Sequence, residues 1–179
     1  MPTLLRLSAL LISWAVLATA CGKKSSSSTD PKWPSRPTKV WSEKVRGVSF
    51  QITLPEGLGV FRDRNVVIWR VDNLGRGPLL KVARARPPRT LQDAKQTALL
   101  GLHDRFTRAQ KTADGYWLVM KDTQRGTTKV TRYLTKNGRT LKCWAFFFWR
   151  GKRPHHIEAH NALLERICQS VRITGVRGD

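Results

Sequence analysis

The chain has 179 residues, of which 40% are hydrophobic and 25% charged, a composition typical of a globular protein rather than a disordered or fibrous one. This length is enough for one domain with a sizeable core and leaves little room for a second. Lysine and arginine number 33 against 12 acidic residues, which gives a formal net charge of +21. Such a charge favours anionic partners: phospholipid headgroups, phosphorylated glycolipids, acidic polysaccharide or nucleic acid.

The positive charge also has a compositional explanation. The arginines are spread along the whole chain, as a bias in codon composition would produce, and they do not gather into a block of five or six like charges. The sequence therefore leaves two interpretations open, a genuine anionic partner and a merely solvated basic surface.

Residues 1–20 have the pattern of a signal peptide. Arg6 precedes an apolar run from Leu7 to Ala20, which is shorter than the roughly 20 apolar residues that span a bilayer and ends in small residues. The next residue, Cys21, completes an Ala-Thr-Ala-Cys motif that resembles the lipobox of bacterial lipoproteins. The resemblance implies that residues 1–20 are removed, that Cys21 is lipidated, and that the loss of one basic residue leaves a charge of +20. Ordinary secretion and an uncleaved anchor are the alternatives.

Residues 21–44 are predicted to be a tether. This segment contains the pair Lys23-Lys24, four consecutive serines and three prolines, and its first part shows no apolar periodicity. About 18 flexible residues span roughly 20–25 Å, so the domain is expected to stay near the membrane. Trp33 and Trp41 either pack back on the domain or lie at the membrane interface. A single domain is predicted over residues 45–175, followed by a tail over 176–179.

Three strands are predicted first. Apolar residues alternate with polar ones from Val48 to Leu54, the period-two pattern of a half-buried strand, and Pro-Glu-Gly follows. Residues 66–71 and 79–85 are predicted to be the second and third strands.

The period then changes to that of a helix. Thr90 is a good N-cap with Asp93 three residues later, and Leu91, Leu102 and Phe106 belong to an apolar series at helical spacing. The pattern predicts one amphipathic helix, weakened by a glycine at position 101.

A three-stranded meander follows, with strands predicted over residues 116–120, 129–135 and 141–149. Asn137 and Gly138 both tolerate the positive φ of a type I′ turn, so they predict a hairpin between the last two strands. The strand after this hairpin is apolar on both alternating faces, which predicts a central position in a sheet with helices on each face.

A final helix is predicted over residues 154–171. Ile157, Leu164 and Cys168 belong to one apolar stripe of this helix, so Cys168 is expected to face the core. Cys143 lies on the predicted central strand. An even pair of cysteines in an oxidising compartment predicts a Cys143–Cys168 disulfide, with a nucleophilic or redox-active free thiol as the alternative.

The order of these features resembles that of small bacterial lipoproteins with the PsbP-like fold. The resemblance covers the lipobox, the serine-rich tether, a strand ending in Leu-Pro-Glu-Gly, a Thr-x-x-Asp helix, a meander and a final helix. It implies an α+β fold, with an antiparallel sheet of about five to six strands flanked by two helices. Members of this family serve assorted accessory roles and share no catalytic residues, so the resemblance implies no activity.

Three histidines form the one cluster of candidate metal ligands. His156 and His160 are four residues apart on the final helix, a spacing that allows two imidazoles to share a zinc ion. However, Glu158 does not follow the first histidine directly, as the metalloprotease pattern requires, and basic residues just upstream would repel a dication. The sequence favours a solvated helix start, and no metal and no other cofactor is predicted.

No catalytic pattern is present in the sequence. The acidic residues fall mostly at turns without suggestive pairing, and there is no nucleophile elbow or phosphate-binding glycine loop. The tryptophans favour core positions, with an aromatic ligand cleft as the alternative.

These observations predict a non-enzymatic binding or accessory module of the cell envelope, anchored to a membrane and facing the periplasm. Gly22 stands where an aspartate would retain a lipoprotein in the inner membrane, which favours the outer membrane. A direct binder of anionic envelope components is the alternative, and a hydrolase or metalloprotein is a third class without support. An envelope location disfavours nucleic acid, and no protein partner is predicted.

Overall fold

A computed structural model describes residues 33–71, 77–98, 101–148 and 156–176. Its elements are a 3-10 turn at Trp33–Ser35, strands β1 (Thr38–Val45), β2 (Val48–Pro55), β3 (Gly59–Asp63), β4 (Val66–Arg70) and β5 (Gly77–Ala85), helix α1 (Leu91–Ala98), strands β6 (Asp104–Thr112), β7 (Gly115–Asp122), β8 (Thr128–Lys136) and β9 (Arg139–Phe148), helix α2 (Ile157–Ser170) and strand β10 (Arg172–Val176). The predicted signal peptide and Cys21 lie outside the described residues.

The strands form two antiparallel sheets. The large sheet has seven strands in the order β3-β4-β5-β9-β8-β7-β6, and the small sheet has the order β1-β2-β10. Strand β9 is the fourth of seven, so the strand with two apolar faces holds the central position predicted for it. Side chains directly opposite each other on paired strands share a face, which lets the register assign every residue of the large sheet to one of two faces.

One face of the large sheet carries the main core. Helix α2 packs on this face against β8 and β9, and it also contacts β2 of the small sheet. Leu80, Ala145 and Val130 are consecutive partners across β5, β9 and β8, and each is fully buried here. The predicted stripe of α2 is confirmed, because its apolar residues from Ile157 to Cys168 are buried.

The opposite face carries a smaller core under α1. This helix contacts β6 and β7, and its Ala94 and Ala98 pack with Leu118 and Tyr133. The predicted N-cap is confirmed, since the Thr90 hydroxyl accepts a hydrogen bond from the Asp93 backbone N–H at 3.1 Å. Helix α1 thus covers this face only near β6 and β7.

The structure confirms an α+β fold but corrects the strand number, since ten strands rather than five or six lie in the described residues. Strand β1 occupies positions predicted to belong to the tether, and β10 follows the final helix. The pattern missed β1 and β3 because both are exposed edge strands: Val40 is 56% and Phe61 57% exposed.

The predicted extension of the first helix is wrong. Helix α1 ends at Ala98, and Phe106 lies on β6, opposite Met120 of β7. Leu102, which fitted the helical spacing, is 90% exposed and faces no core. The periodicity was misleading here because β6 is an edge strand with few buried residues.

The remaining predicted elements are confirmed with small shifts of their ends. Asn137 and Gly138 have φ values of 49° and 70° and form the tight turn between β8 and β9. Within the described residues, no helix has the length and apolar character needed to cross a membrane.

Candidate anion-binding cleft

Three hairpin turns meet at one end of the two sheets. Arg46 and Gly47, with φ values of 44° and 78°, form the turn between β1 and β2. Arg64 lies in the turn between β3 and β4, and Arg139 begins β9 directly after the Asn-Gly turn. Hairpin turns of this kind point outward, so each places a basic side chain at the end of the sheets.

A cleft of about 500 Å³ opens between these turns, and it is lined by Arg46, Gly47, Arg64, Arg84 and Arg139. Four arginines and one glycine therefore form its described lining, with no carboxylate among them. The arginines at positions 46 and 139 come from distant parts of the chain. Their proximity is a product of the fold and cannot be explained by a local run of charge.

Arg84 connects the cleft to the backbone of two turns. Its guanidinium Nη1 donates to the carbonyl oxygen of Arg46 at 3.5 Å, and its backbone N–H donates to the carbonyl oxygen of Asn65 at 3.3 Å. Arg84 and Arg139 are half-buried, whereas Arg46 and Arg64 are exposed. Arg84 and Arg139 thus form a partly desolvated floor of the cleft. Arg46 and Arg64 form a solvent-exposed cationic rim.

The electrostatics of this cleft favour a multiply charged anion. Guanidinium groups present paired N–H donors that match phosphate, sulfate or carboxylate oxygens bidentately. Four like charges around one space repel each other, and an anion between them relieves that repulsion. The carboxylate of Asp63 lies beside the rim, where its Oδ1 accepts the Arg64 backbone N–H at 2.7 Å.

A second, smaller cavity of about 200 Å³ lies beside the start of α1. The Lys142 ammonium donates to the carbonyl oxygen of Thr97 at 2.9 Å, and the Tyr133 and Thr97 hydroxyls are 2.7 Å apart. Burial lowers the pKa of Lys142 and raises the pKa of Tyr133. The polar groups of Lys142 and Tyr133 both bind Thr97, so these two side chains attach α1 to the sheet beside the cavity.

The two cysteines predicted to be bonded lie close together in the main core. Cys143 on β9 and Cys168 on α2 are both fully buried, and both are free thiols in this structure. Burial, followed by the interaction with the Cys143 thiol, raises the pKa of Cys168. A thiol in that state is a poor nucleophile at neutral pH. The disulfide itself stays a prediction.

The candidate metal ligands are placed apart. His156 is exposed at the start of α2, whereas His160 is 3% exposed and lies edge-on to the Phe147 ring, with 4.6 Å between ring centroids. The Nδ1 atom of His160 is 2.8 Å from the His156 carbonyl oxygen. Across the described parts of the chain, no group of three possible ligands converges.

The tryptophans mostly belong to the core. Trp69 and Trp117 are buried. Trp33 is 4% exposed, so it packs on the domain, one of the two positions expected for it. Trp41 also packs against the main core. Trp144 differs, because it is half-buried on the face that α1 covers only in part.

Sequence reasoning missed the arginine cleft. The sequence did contain one signal for this cleft: Arg46, Arg64 and Arg139 each lie in or next to a predictable turn. Turns of neighbouring hairpins can converge at one end of an antiparallel sheet. No protein-family model and no curated protein sequence matches this chain.

Proposed function

We propose that this chain is a lipid-anchored, non-enzymatic accessory module of the bacterial cell envelope that binds an anionic component. The observation that carries the proposal is the cleft lined by Arg46, Arg64, Arg84 and Arg139. Phosphate, sulfate and carboxylate groups are the ligands that clustered guanidinium groups recognise. In an envelope, such groups occur on lipid headgroups, glycolipids and acidic polysaccharides.

The proposed anchor is Cys21, and the predicted location is a membrane surface facing the periplasm, with the outer membrane favoured. This part of the proposal is supported by the sequence of residues 1–21. A seven-stranded antiparallel sheet with α1 and α2 on opposite faces also supports the proposed relationship to PsbP-like lipoproteins, whose fold is an antiparallel sheet between helices.

The test of the cleft compares two double variants of equal charge. Arg64→Gln with Arg84→Gln removes two guanidinium groups from the cleft, and Arg166→Gln with Arg172→Gln removes two exposed ones elsewhere. The full chain is titrated with heparin, with neutral dextran and with phosphatidylglycerol vesicles, so that a polysaccharide and a headgroup are distinguished. We expect the cleft variant to weaken polyanion binding by roughly 10- to 30-fold, since each charge-assisted hydrogen bond contributes about 1 kcal/mol or more.

The control double variant is expected to weaken binding only slightly through net charge. Equal losses in both double variants would mean that the whole basic surface binds nonspecifically, and they would overturn the proposal of a specific cleft. The anchor is tested separately, because Cys21→Ala should abolish metabolic labelling with a fatty acid. Labelling that persists in Cys21→Ala would remove the lipid anchor from the proposal and leave the result on the cleft unaffected.

A further inference from the structure

One side of the large sheet carries an apolar and cationic surface that α1 leaves uncovered. This open face consists of Phe61, Ile68, Leu79, Trp144 and Phe146, together with the basic residues Arg70 and Lys81. Register places all seven on one side, since Phe61 pairs with Ile68, Ile68 with Lys81, Lys81 with Trp144, and Leu79 with Phe146. The remaining member, Arg70, lies two residues after Ile68 on β4 and therefore shares its side.

The side chains of the open face are half-buried or exposed, and two of its aromatic rings pack against each other. Phe61 is 57% exposed, and the Trp144 and Phe146 rings pack at a centroid distance of 4.6 Å while both stay half-buried. Ile68 and Leu79 are half-buried as well. Helix α1 lies on the same face but contacts β6 and β7, at the opposite edge of the sheet. Contiguous apolar surface of this kind typically marks an interaction site.

Charge identifies the occupant of the open face as anionic. Lys81 lies at its centre and Arg70 at its margin, and both are exposed. Strands β3, β4, β5 and β9 contain a single acidic residue, Asp63, next to the β3–β4 turn. A second copy of this chain would bring the same cations face to face, so self-association through this surface is disfavoured. Aromatic rings beside basic side chains are instead typical of surfaces that lie at a membrane interface.

Trp33 lies beside the start of β5, at the end of this strand that is remote from the cleft. Trp33 is the first described residue, and a Cβ built on Gly77 would lie 3.3 Å from its indole Nε1. Gly77 begins β5, two residues before Leu79 of the open face. Arg84 of the cleft is three residues after Lys81 of the open face, and this odd separation places the two side chains on opposite faces of the sheet. The arginine cleft therefore faces away from the open face.

We propose that the open face docks on the anionic surface of the membrane and thereby points the arginine cleft away from it. This inference rests on the lipid anchor proposed for Cys21, which holds the domain within reach of the headgroups. Phe61 and the Trp144–Phe146 pair enter the headgroup region, and Lys81 and Arg70 contact lipid phosphates. The cleft then receives anionic ligands from the periplasmic side rather than from its own membrane.

The experiment uses two single-cysteine labelling sites on one hairpin. Phe61→Cys places an environment-sensitive fluorophore on the open face, and Arg64→Cys places it three residues away in the cleft. Cys143 and Cys168 are fully buried and should not react. The unsubstituted full chain is labelled in parallel, so that any reaction of Cys21 is measured by itself and a failure of the anchor is recognised independently of docking.

On vesicles of phosphatidylglycerol and phosphatidylcholine, the fluorophore at position 61 should shift to shorter wavelength and be quenched by lipid-borne quenchers. The fluorophore at position 64 should remain in water, and vesicles of phosphatidylcholine alone should produce neither effect. Lys81→Glu should shift the docking equilibrium at position 61 by roughly tenfold or more, because each basic side chain near an anionic surface contributes about 1 kcal/mol. Lys121→Glu makes the same charge change on the opposite face and serves as the matched control.

Three outcomes overturn the proposal. If the fluorophore at position 61 stays in water on anionic vesicles, or if positions 61 and 64 respond equally, the open face does not dock on lipid. If a cysteine at position 61 is protected from labelling in intact cells but not on vesicles, the open face is covered by an acidic protein and not by the membrane.

Discussion

The ammonium group of Lys129 lies 2.8 Å and 2.7 Å from the two carboxylate oxygens of Asp104, and so joins β8 to the start of β6 across the intervening β7. The Asp104 side chain is 1% exposed and that of Lys129 is 17% exposed. A carboxylate this deeply buried is stable in its charged form only with a close cation. This ion pair therefore links the start of the edge strand β6 to β8.

We expect Lys129→Met to destabilise the protein by about 3 kcal/mol, because it leaves the Asp104 charge buried without a partner. The double variant Lys129→Met with Asp104→Leu should recover most of this loss, since both charges are then removed together. Urea denaturation of the two variants measures the difference. A double variant no more stable than Lys129→Met would contradict this interpretation.

The cysteine pair gives a second prediction. A bond between Cys143 and Cys168 would close a loop of about 25 residues and stabilise the fold by about 3 kcal/mol on the chain-entropy model. Mass mapping of the folded protein without reductant should recover one linked peptide pair, and Cys168→Ala should lower the denaturation midpoint. Ready alkylation of both thiols in the absence of reductant and denaturant would show that the bond is not formed.

The central elements of the fold were predictable because their local patterns match their surroundings. Strand β9 lies at the centre of the sheet, as its apolar pattern predicted, but α1 contacts β6 and β7 and does not provide the helix expected over the Trp144 face of β9. The Asn137–Gly138 turn has the positive φ values that its sequence suggested. Edge strands gave weaker signals, since they bury little surface. Val40 on β1 and Phe61 on β3 illustrate the problem, because both apolar side chains are mostly exposed.

The arginine cleft could not be located from the sequence. Arg46 and Arg139 are far apart in the chain and are brought together only by the meeting of three hairpin turns. The dispersed arginines also fit a compositional explanation, because no local pattern distinguishes an arginine in a cleft from one in solvent. The net charge alone predicted an anionic class of ligand. Locating the site required knowledge of which strands pair and in which register.

A pH dependence is expected from Asp122 in the turn between β7 and β8. Its Oδ1 accepts the backbone N–H groups of Arg125 and Gln124, each at 2.9 Å. The hydrogen bond from Arg125 is the main reason that the pKa of Asp122 lies below its ordinary value of 3.8. A carboxylate with a lowered pKa stabilises the folded state above 3.8, and this stabilisation is lost as the pH falls through the folded-state pKa.

Asp122→Asn should lower stability at neutral pH, because it removes the negative charge that these hydrogen bonds and nearby cations stabilise. It should also reduce the loss of stability on acidification, because the asparagine side chain has no charge to protonate. Urea denaturation at a series of pH values from neutral to below 3.8 measures the effect. Parallel stability curves for the two proteins would contradict the assignment.

The last prediction concerns Arg132, which links β8 to the end of α2. Its Nη1 donates to the carbonyl oxygen of Gln169 at 2.7 Å and also lies within 3.3 Å of the Cys168 and Val171 carbonyl oxygens. Its Nη2 donates to Asp114 at 2.8 Å. A cation at this place satisfies carbonyl groups that have no partner within the helix and interacts favourably with the negative end of its dipole.

We expect Arg132→Met to destabilise the protein by about 2 kcal/mol, because it removes the guanidinium donor from the Gln169 carbonyl group and from Asp114, and the positive charge from the end of α2. Arg132→Lys should lose less but still measurably, since one ammonium group cannot reproduce the planar fork that reaches α2 and Asp114 together. Amide hydrogen exchange in the last turn of α2 should accelerate in both variants. If Arg132→Lys were as stable as the unsubstituted chain, charge near the helix end would be sufficient and the fork geometry would have no role.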